Sequence, residues 1–434
     1  MPDHQLATTF PIKIGAGGRR LVDQNDRPFL VHGDTAWSII TALTSAEAEQ
    51  YLANRAAKGF NALIVNLIEH KFNGPLTRDG EHPFTNPNDL STPNEKYWAH
   101  ADWVLQKAAE YGFVVFLAPM YLGARTAKND EGWFVEALLT GLGGCREYGR
   151  FLGRRYTNQP NLVWMMGGDR NPGDCQEHTL AVVRGIKEFD SRHLFTAHPA
   201  PEFHTPDVYG FGNWLDFNVS YTYGIVHSFL IADYNREPAV PFVLIESSYE
   251  GEHNAPPVQI RRQAYWALLR GATGQFLGNN PIWAFWPGWQ AAMDAEGSRS
   301  MAHLKRLFES RPWQTLVPDQ FSFNPWYELD FASEKRVVVG GWGEQRGLDF
   351  LAAAYTADRR TLIAYMPTSR EVTVDMARLT GDAKLCWWFD PRTGQAQSAG
   401  VLPGLGLIKF TPPSDGDWVL VIDDAAANLP APGQ

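Results

Sequence analysis

Cysteine is scarce in this chain of 434 residues: Cys145, Cys175 and Cys386 lie far apart, with no CxxC pair and an odd total. That spacing excludes a disulfide framework and a cysteine-based zinc site, and the three read as buried, inert thiols. Long apolar runs are missing as well. Nothing approaches the roughly 18 consecutive apolar residues of a membrane span, so no membrane partner is expected. A basic run is also absent, and 38 Lys and Arg against 48 Asp and Glu leave a formal charge of -10. The balance argues against a nucleic-acid backbone as partner. The opening "MPDHQLATTFPIKIG" has neither the basic start nor the apolar core of a secretion signal, so a cytoplasmic location is the expectation. Histidines do not fall at metal-ligand spacing: the first candidate strand offers His32 and then Asp34 where a metal-dependent barrel hydrolase wants HxH, so neither metal nor cofactor is expected.

Aromatic residues, in contrast, are plentiful, and the chain holds 16 tryptophans. Indole faces stack well on the C–H faces of sugars, although most such rings serve packing.

From residue 29 the sequence alternates short apolar runs with amphipathic stretches of about a dozen residues, the pattern of repeated βα units. Eight runs read as strands: 29–37, 61–67, 113–119, 161–169, 193–199, 216–223, 241–247 and 274–283. Helices between them carry their own punctuation, with Ser45 as cap and Gly59 as stop of one, and Asn94 and Gly112 in the same roles for another. These features predict a (β/α)₈ TIM barrel over 29–318, preceded by a strand and hairpin cap over 1–28 that turns at "QNDR". After about residue 320 short strands such as "RTLIAYMP", "KLCWWFD" and "DWVLVID" alternate with turn sequences, which predicts a C-terminal antiparallel β-sandwich over 319–425. The link "ESRPWQTLVPDQ" carries Trp313 and Leu316, so the sandwich should pack rather than float. A disordered tail is expected over 426–434.

Chemistry in a barrel of this type sits at the carboxyl ends of the strands. Strand four ends in "MMGGDRNP", where Gly167 and Gly168 release the chain tightly and set Asp169 at the mouth. Strand seven, "FVLIES", ends in Glu246. Two carboxylates on opposite sides of one pocket suit glycosidic cleavage, one donating a proton to the leaving oxygen and the other attacking the anomeric carbon. Further candidates for substrate binding close the other runs: Asp34 and Trp37 at strand one, Asn66 at strand two, His198 at strand five, Tyr221 and Tyr223 at strand six and Trp283 at strand eight. Asp34 could equally cap a helix. One of the two tyrosines should reach the nucleophile and hold it ionised. His32 reads as a core residue, and Glu250 as a loop carboxylate near Glu246.

The runs "FLVHGDTAW", "YLANRAAKGFNALIV", "YGRFLGRRYTNQPNLVWMMGGDRNP", "PFVLIESSYEG" and "RRQAYWALLRGATGQFLGNNPIW", with "WWFDPRTG" near the end, resemble glycoside hydrolase family 140 over nearly the whole chain. The resemblance implies an apiosidase with a (β/α)₈ catalytic domain and a C-terminal sandwich that carries a collagen-binding label. It implies Asp169 as acid/base, Glu246 as nucleophile and a retaining reaction on terminal β-linked apiofuranose of plant-derived glycosides or pectin side chains. Related barrel glycosidases place Asn-Glu at the end of strand four, where this chain has Gly168-Asp169; Asn171 is the candidate to supply the missing amide contact. Another exo-glycosidase specificity, such as an α-L-arabinofuranosidase, uses the same machinery. A non-catalytic sugar-binding protein would have no need of Asp169 and Glu246 at the mouth.

Overall fold

A computed structural model describes residues 8–70, 72–125, 131–210, 214–320 and 336–434. Residues 1–7 of the expected cap and 321–335 of the expected sandwich lie outside these. Near the start of the described chain, strands β1 (Lys13–Ile14) and β2 (Leu21–Val22) pair antiparallel, and Val22 bridges to Pro28 across "QNDR". Asp23 anchors that turn by accepting from the backbone N–H groups of Asn25 and Arg27.

Eight parallel strands then form the barrel sheet: β3 (Val31–Thr35), β4 (Ala62–Asn66), β5 (Val114–Ala118), β6 (Leu162–Gly167), β7 (Leu194–His198), β8 (Asn218–Tyr221), β9 (Phe242–Glu246) and β10 (Gly274–Leu277), in the order β7-β6-β5-β4-β3-β10-β9-β8. Neighbours in sequence are neighbours in the sheet, as short right-handed βα units require. β8 lies beside β7 as well, because Asp216 N–H donates to the Phe195 carbonyl at 2.9 Å and Thr196 Oγ1 donates to that of Phe217 at 2.9 Å. Almost every strand residue is buried, which is why the runs read as continuously apolar rather than alternating. The helix Ser45–Ala57 is capped one residue earlier than the sequence suggested: Thr44 and Glu47 form a reciprocal capping box. Asn94 caps Glu95–Glu110 as expected, and Gly112 follows it with φ of +81°.

By compactness the chain divides into residues 1–221 with 278–293, holding β3 to β8, and residues 222–277 with 294–434, holding β9, β10 and the sandwich. In the second unit a six-stranded sheet and a three-stranded one enclose a core that includes Leu362, Ala364, Val374, Trp388, Leu420 and Ile422. Leu316, in the expected link, already belongs to the larger sheet, pairing with Thr356. The helix Pro257–Leu269 packs on this sandwich with unusual polarity for a buried element. Arg261 makes a bidentate ion pair with Asp417 at 2.7 and 3.0 Å, and Tyr365 donates to the same carboxylate at 3.0 Å. Tyr265 stacks on Tyr365 with centroids 4.5 Å apart, and Trp266 Nε1 donates to the Phe350 carbonyl at 3.0 Å. Farther along, Arg311 grips Asp423 and also donates to the Pro430 carbonyl at 3.0 Å, while Gly433 N–H donates to Ser310 Oγ at 3.0 Å. The final segment, expected to be disordered, is therefore tied down, because buried Arg311 has donors left over after pairing with Asp423.

All three cysteines are free and buried, and burial pushes each thiol up to about 12. Among the described residues no helix is long and apolar enough to cross a membrane.

His227 yields a pH prediction. It stacks on Phe350 at 4.2 Å, and burial, with the nearby Arg270 and Arg262 charges, lowers its pKa from 6.5 to about 3. The folded protein thus holds it neutral, so its contribution to stability is complete above pH 6.5 and is lost as pH falls toward 3, at a limit of about 1.4 kcal/mol per pH unit. In His227→Phe, urea midpoints measured from pH 7 to pH 4 should decline less steeply than in the wild type. Equal slopes would remove His227 from the acid response.

Candidate active site

The backbone that delivers Asp169 could not be built from other residues. Gly167 and Gly168 have φ of +85° and +121°; a Cβ at Gly168 would lie 2.1 Å from the Tyr121 ring, and one at Gly167 would lie 2.4 Å from both the His198 carbonyl and the Tyr209 hydroxyl. Asp169 is itself left-handed, with φ of +49°, and Arg170 N–H closes onto the Gly168 carbonyl at 2.8 Å, a γ-turn with the carboxylate at its apex. Such a non-glycine conformation costs on the order of 1–3 kcal/mol and persists only when its surroundings fix it. Here they do, since Gly168 N–H donates to His198 at 2.8 Å and Leu122 N–H to Gly167 at 3.1 Å.

The Asp169 side chain is 24% exposed. Tyr121 donates to its Oδ2 at 2.6 Å, and His198 Nδ1 stands 3.8 Å from its Oδ1. His198 is fully buried, with Tyr221 edge-on at 4.7 Å and Trp37 at 5.7 Å. Trp37 also meets Tyr121 at 5.7 Å, Tyr121 meets Phe72 at 5.7 Å, and Phe72 meets Trp283 edge-on at 4.7 Å. The first unit therefore offers one acid with an aromatic wall beside it. Arg170, the next residue, lies over the Phe134 ring at 3.7 Å.

The second unit presents Glu246, the last residue of β9, at 7% exposure. Tyr223 donates to its Oε1 at 2.8 Å, an approach set up by the neighbouring backbone bond from Thr222 N–H to the Glu246 carbonyl at 3.3 Å. Glu250 is occupied elsewhere, accepting from Gly297 N–H at 2.8 Å at the start of helix Glu296–Glu309.

Several expected sugar contacts change. Asp34 is fully buried, with Oδ2 2.5 Å from Arg55 Nε and 2.7 Å from the Tyr51 hydroxyl, while Oδ1 accepts from Thr35 N–H. Burial raises its pKa and Arg55 opposes the rise, so Asp34 is an internal ion pair and has no surface for a ligand. Asn171 Oδ1 accepts from Ala200 N–H at 3.1 Å, which fixes the orientation of its amide. Trp283 does not end a strand; it sits in the 3-10 turn Ile282–Ala284, beyond β10. Tyr221 packs on His198, and Tyr223 is the one that reaches the nucleophile candidate. Asn66 is 2% exposed, and neither its amide oxygen nor its nitrogen has a hydrogen-bond partner among the described residues. His32 is a core residue stacked on Phe60. The reading by strand ends missed Tyr121, which lies three residues past β5; the run "APMYLG" held it, but the close approach of Gly168 that selects it is not visible in sequence.

A (β/α)₈ barrel carrying carboxylates at the ends of β6 and β9 is the architecture of a glycoside hydrolase, and the comparisons agree. A family model described as the apiosidase-like catalytic domain matches residues 16–315, and one whose description names a collagen-binding domain of a collagenase matches 335–423. The chain belongs to the apiosidase-like family. A solved glycoside hydrolase, 24% identical, aligns over 96% of this chain and 99% of its own with a TM-score of 0.82. A glycoside hydrolase family 5 protein from Bacteroides vulgatus ATCC 8482, 25% identical, aligns over 96% and 94% with the same score. No curated protein matches the sequence.

The glycine pair can be tested directly. Gly168→Ala should displace Asp169 and lower glycoside hydrolysis by about 10²-fold, the usual scale for an ångström-level misplacement of a reacting group. An alanine variant of near wild-type activity would show that Tyr121 can yield.

Proposed function

We propose that the protein is a retaining apiosidase that releases terminal β-linked apiofuranose from plant-derived glycosides or pectin side chains, with Asp169 as acid/base and Glu246 as nucleophile. The observation that carries this reading is the pairing of each carboxylate with one tyrosine hydroxyl, Tyr121 on Asp169 and Tyr223 on Glu246, at the carboxyl ends of two strands of one barrel sheet. Glu246 attacks the anomeric carbon while Asp169 gives its proton to the departing oxygen, so one C–O bond forms as another breaks. Asp169 then takes a proton from the water that attacks the same carbon, and the Glu246 carboxylate leaves. Trp37, Asn66, Asn171, His198, Tyr221 and Trp283 are read as sugar contacts, with Asn66 supplying an amide whose hydrogen bonds the described residues do not satisfy. The cap over 1–28, the barrel over 29–318 and the sandwich over 319–425 are read as its working parts.

Glu246→Ala should abolish turnover of every substrate. Asp169→Ala should discriminate: an unactivated alkoxide leaving group should lose about 10²–10⁴-fold, and a nitrophenyl leaving group much less in the first step. Azide should rescue this variant and give a β-azide from a β-furanoside, because two displacements at one carbon restore configuration. A near-normal rate on the natural glycoside, or an azide of inverted configuration, would falsify the assignment.

Asp169, His198 and Glu246 are also donor types that a divalent cation accepts. In the mechanism proposed Asp169 and Glu246 act as acid/base and nucleophile and His198 is read as a sugar contact, so activity should survive prolonged EDTA treatment. Loss that zinc or calcium restores would overturn the metal-free reading.

A further inference from the structure

A cavity of about 530 Å³ opens beside Glu246, lined by Tyr223, Tyr249, Glu252, His253, Gln259 and Leu348 among others. Its volume lies within the roughly 300–1,000 Å³ of small-molecule sites. One wall is Tyr223, whose hydroxyl is bonded to Glu246, so the cavity begins one side chain away from the nucleophile candidate.

The next wall is the loop after β9. Glu252 N–H closes onto Tyr249 at 3.2 Å and Ala255 N–H onto Glu252 at 2.8 Å, and between them His253 and Asn254 have φ of +47° and +57°. Two consecutive non-glycine residues in the left-handed region are costly, and such strain gathers at ligand clamps.

The facing wall comes from the sandwich. Leu348 is 62% exposed, yet its backbone is not loose: its carbonyl accepts from Arg262 Nη1 at 2.8 Å. Two residues on, Phe350 is buried against His227, and its carbonyl accepts from Trp266. An apolar side chain is thus held in solvent by a loop pinned at its own carbonyl and again two residues on.

We infer that this cavity is a second carbohydrate subsite, built jointly by the loop after β9 with the first turn of the helix Pro257–Leu269 and by the sandwich loop around Leu348, that receives the sugar ring on the leaving-group side. The inference rests on the exo-glycosidase reading, because only then does the remaining chain lie on that side. Tyr223, Tyr249 and Leu348 offer faces to ring C–H groups, and Glu252, His253 and Gln259 offer hydrogen bonds to hydroxyls. The lining holds a carboxylate and, among the described residues, neither lysine nor arginine, so the ring it suits is a neutral sugar rather than a uronate.

The test uses a methyl β-apiofuranoside and two disaccharides, apiose β-linked to a neutral sugar and to a uronate. Wild-type protein should show a KM about tenfold lower for the neutral disaccharide than for the methyl glycoside, and no such gain for the uronate. Leu348→Asp and Gln259→Ala should each erase most of that gain while leaving methyl glycoside turnover within about twofold of wild type, which also reports intact folding. The subsite is overturned if both variants keep the gain, or if they impair both substrates equally. A larger gain for the uronate overturns the charge argument. If the wild type cleaves none of the three, the apiosidase reading fails by itself. Calorimetric binding of the neutral disaccharide then decides the subsite: weakening by Leu348→Asp upholds it, and no binding or an unchanged affinity overturns it.

Discussion

The contact of Gly168 against the face of Tyr121 governs the geometry of the proposed acid. Because no Cβ fits there, the chain can leave β6 closely enough for the Tyr121 hydroxyl to reach round to Asp169 at 2.6 Å. The same approach places Gly167 under the His198 carbonyl, so the β7 exit and the β6 exit share one set of backbone bonds. A carboxylate on an ordinary loop would lose orientation to side-chain freedom. Here the backbone strain at Asp169, the ring of Tyr121 and the imidazole of His198 restrict it together, which is the preorganisation that proton transfer to a positioned leaving group demands.

In the second unit, order is transmitted in a different way. The helix Pro257–Leu269 follows the loop after β9 and is buried on the sandwich through charged groups as well as rings. Breaking one partner of such a buried pair leaves an uncompensated charge, at a cost of about 3–5 kcal/mol, whereas the intact pair adds little beyond a well-packed apolar contact. The Arg261–Asp417 pair therefore acts mainly as a register device. It fixes where the sandwich sits on the helix, and through Arg262 and Trp266 it fixes where the Leu348 loop stands beside Tyr223 and Glu246.

What could be read beforehand divides along the same physical lines. The eight strands, the sandwich, the glycine pair and the two acids are legible because each is encoded locally, by apolar runs, turn residues and the rule that barrel chemistry sits at strand ends. Asp34 is a strand-end carboxylate by the same rule, yet it faces inward, because Arg55, eleven positions into the helix that begins at Ser45, returns to neutralise it. Sequence holds no sign of that pairing. Trp283 was placed on a strand because the run to "NNPIW" looks continuous, but β10 stops at Leu277 and the prolyl turn carries the indole away. The tail reads as free for the opposite reason: its run of small residues and prolines says nothing about the surplus donors of a buried arginine more than a hundred residues earlier.

The two tyrosines show why strand-end reasoning finds acids more readily than their partners. A catalytic carboxylate must stand near the end of its strand, whereas the hydroxyl that orients it can come from any loop able to reach it. Tyr121 lies beyond β5 and Tyr223 beyond β8, each following a strand adjacent in the sheet to that of the acid it serves. Each acid is thus oriented from the neighbouring βα loop rather than from its own, so a change of loop can alter the environment of a carboxylate without moving the strand that bears it. The division has a chemical consequence. Tyr121 is packed between Trp37 and Phe72 and can do little but hold Asp169, while Tyr223 is 48% exposed and also borders the cavity beside Glu246. A group bound in that cavity would meet the same phenol that orients the nucleophile candidate, and binding there would couple to the position of Glu246 through the hydrogen bond from Tyr223.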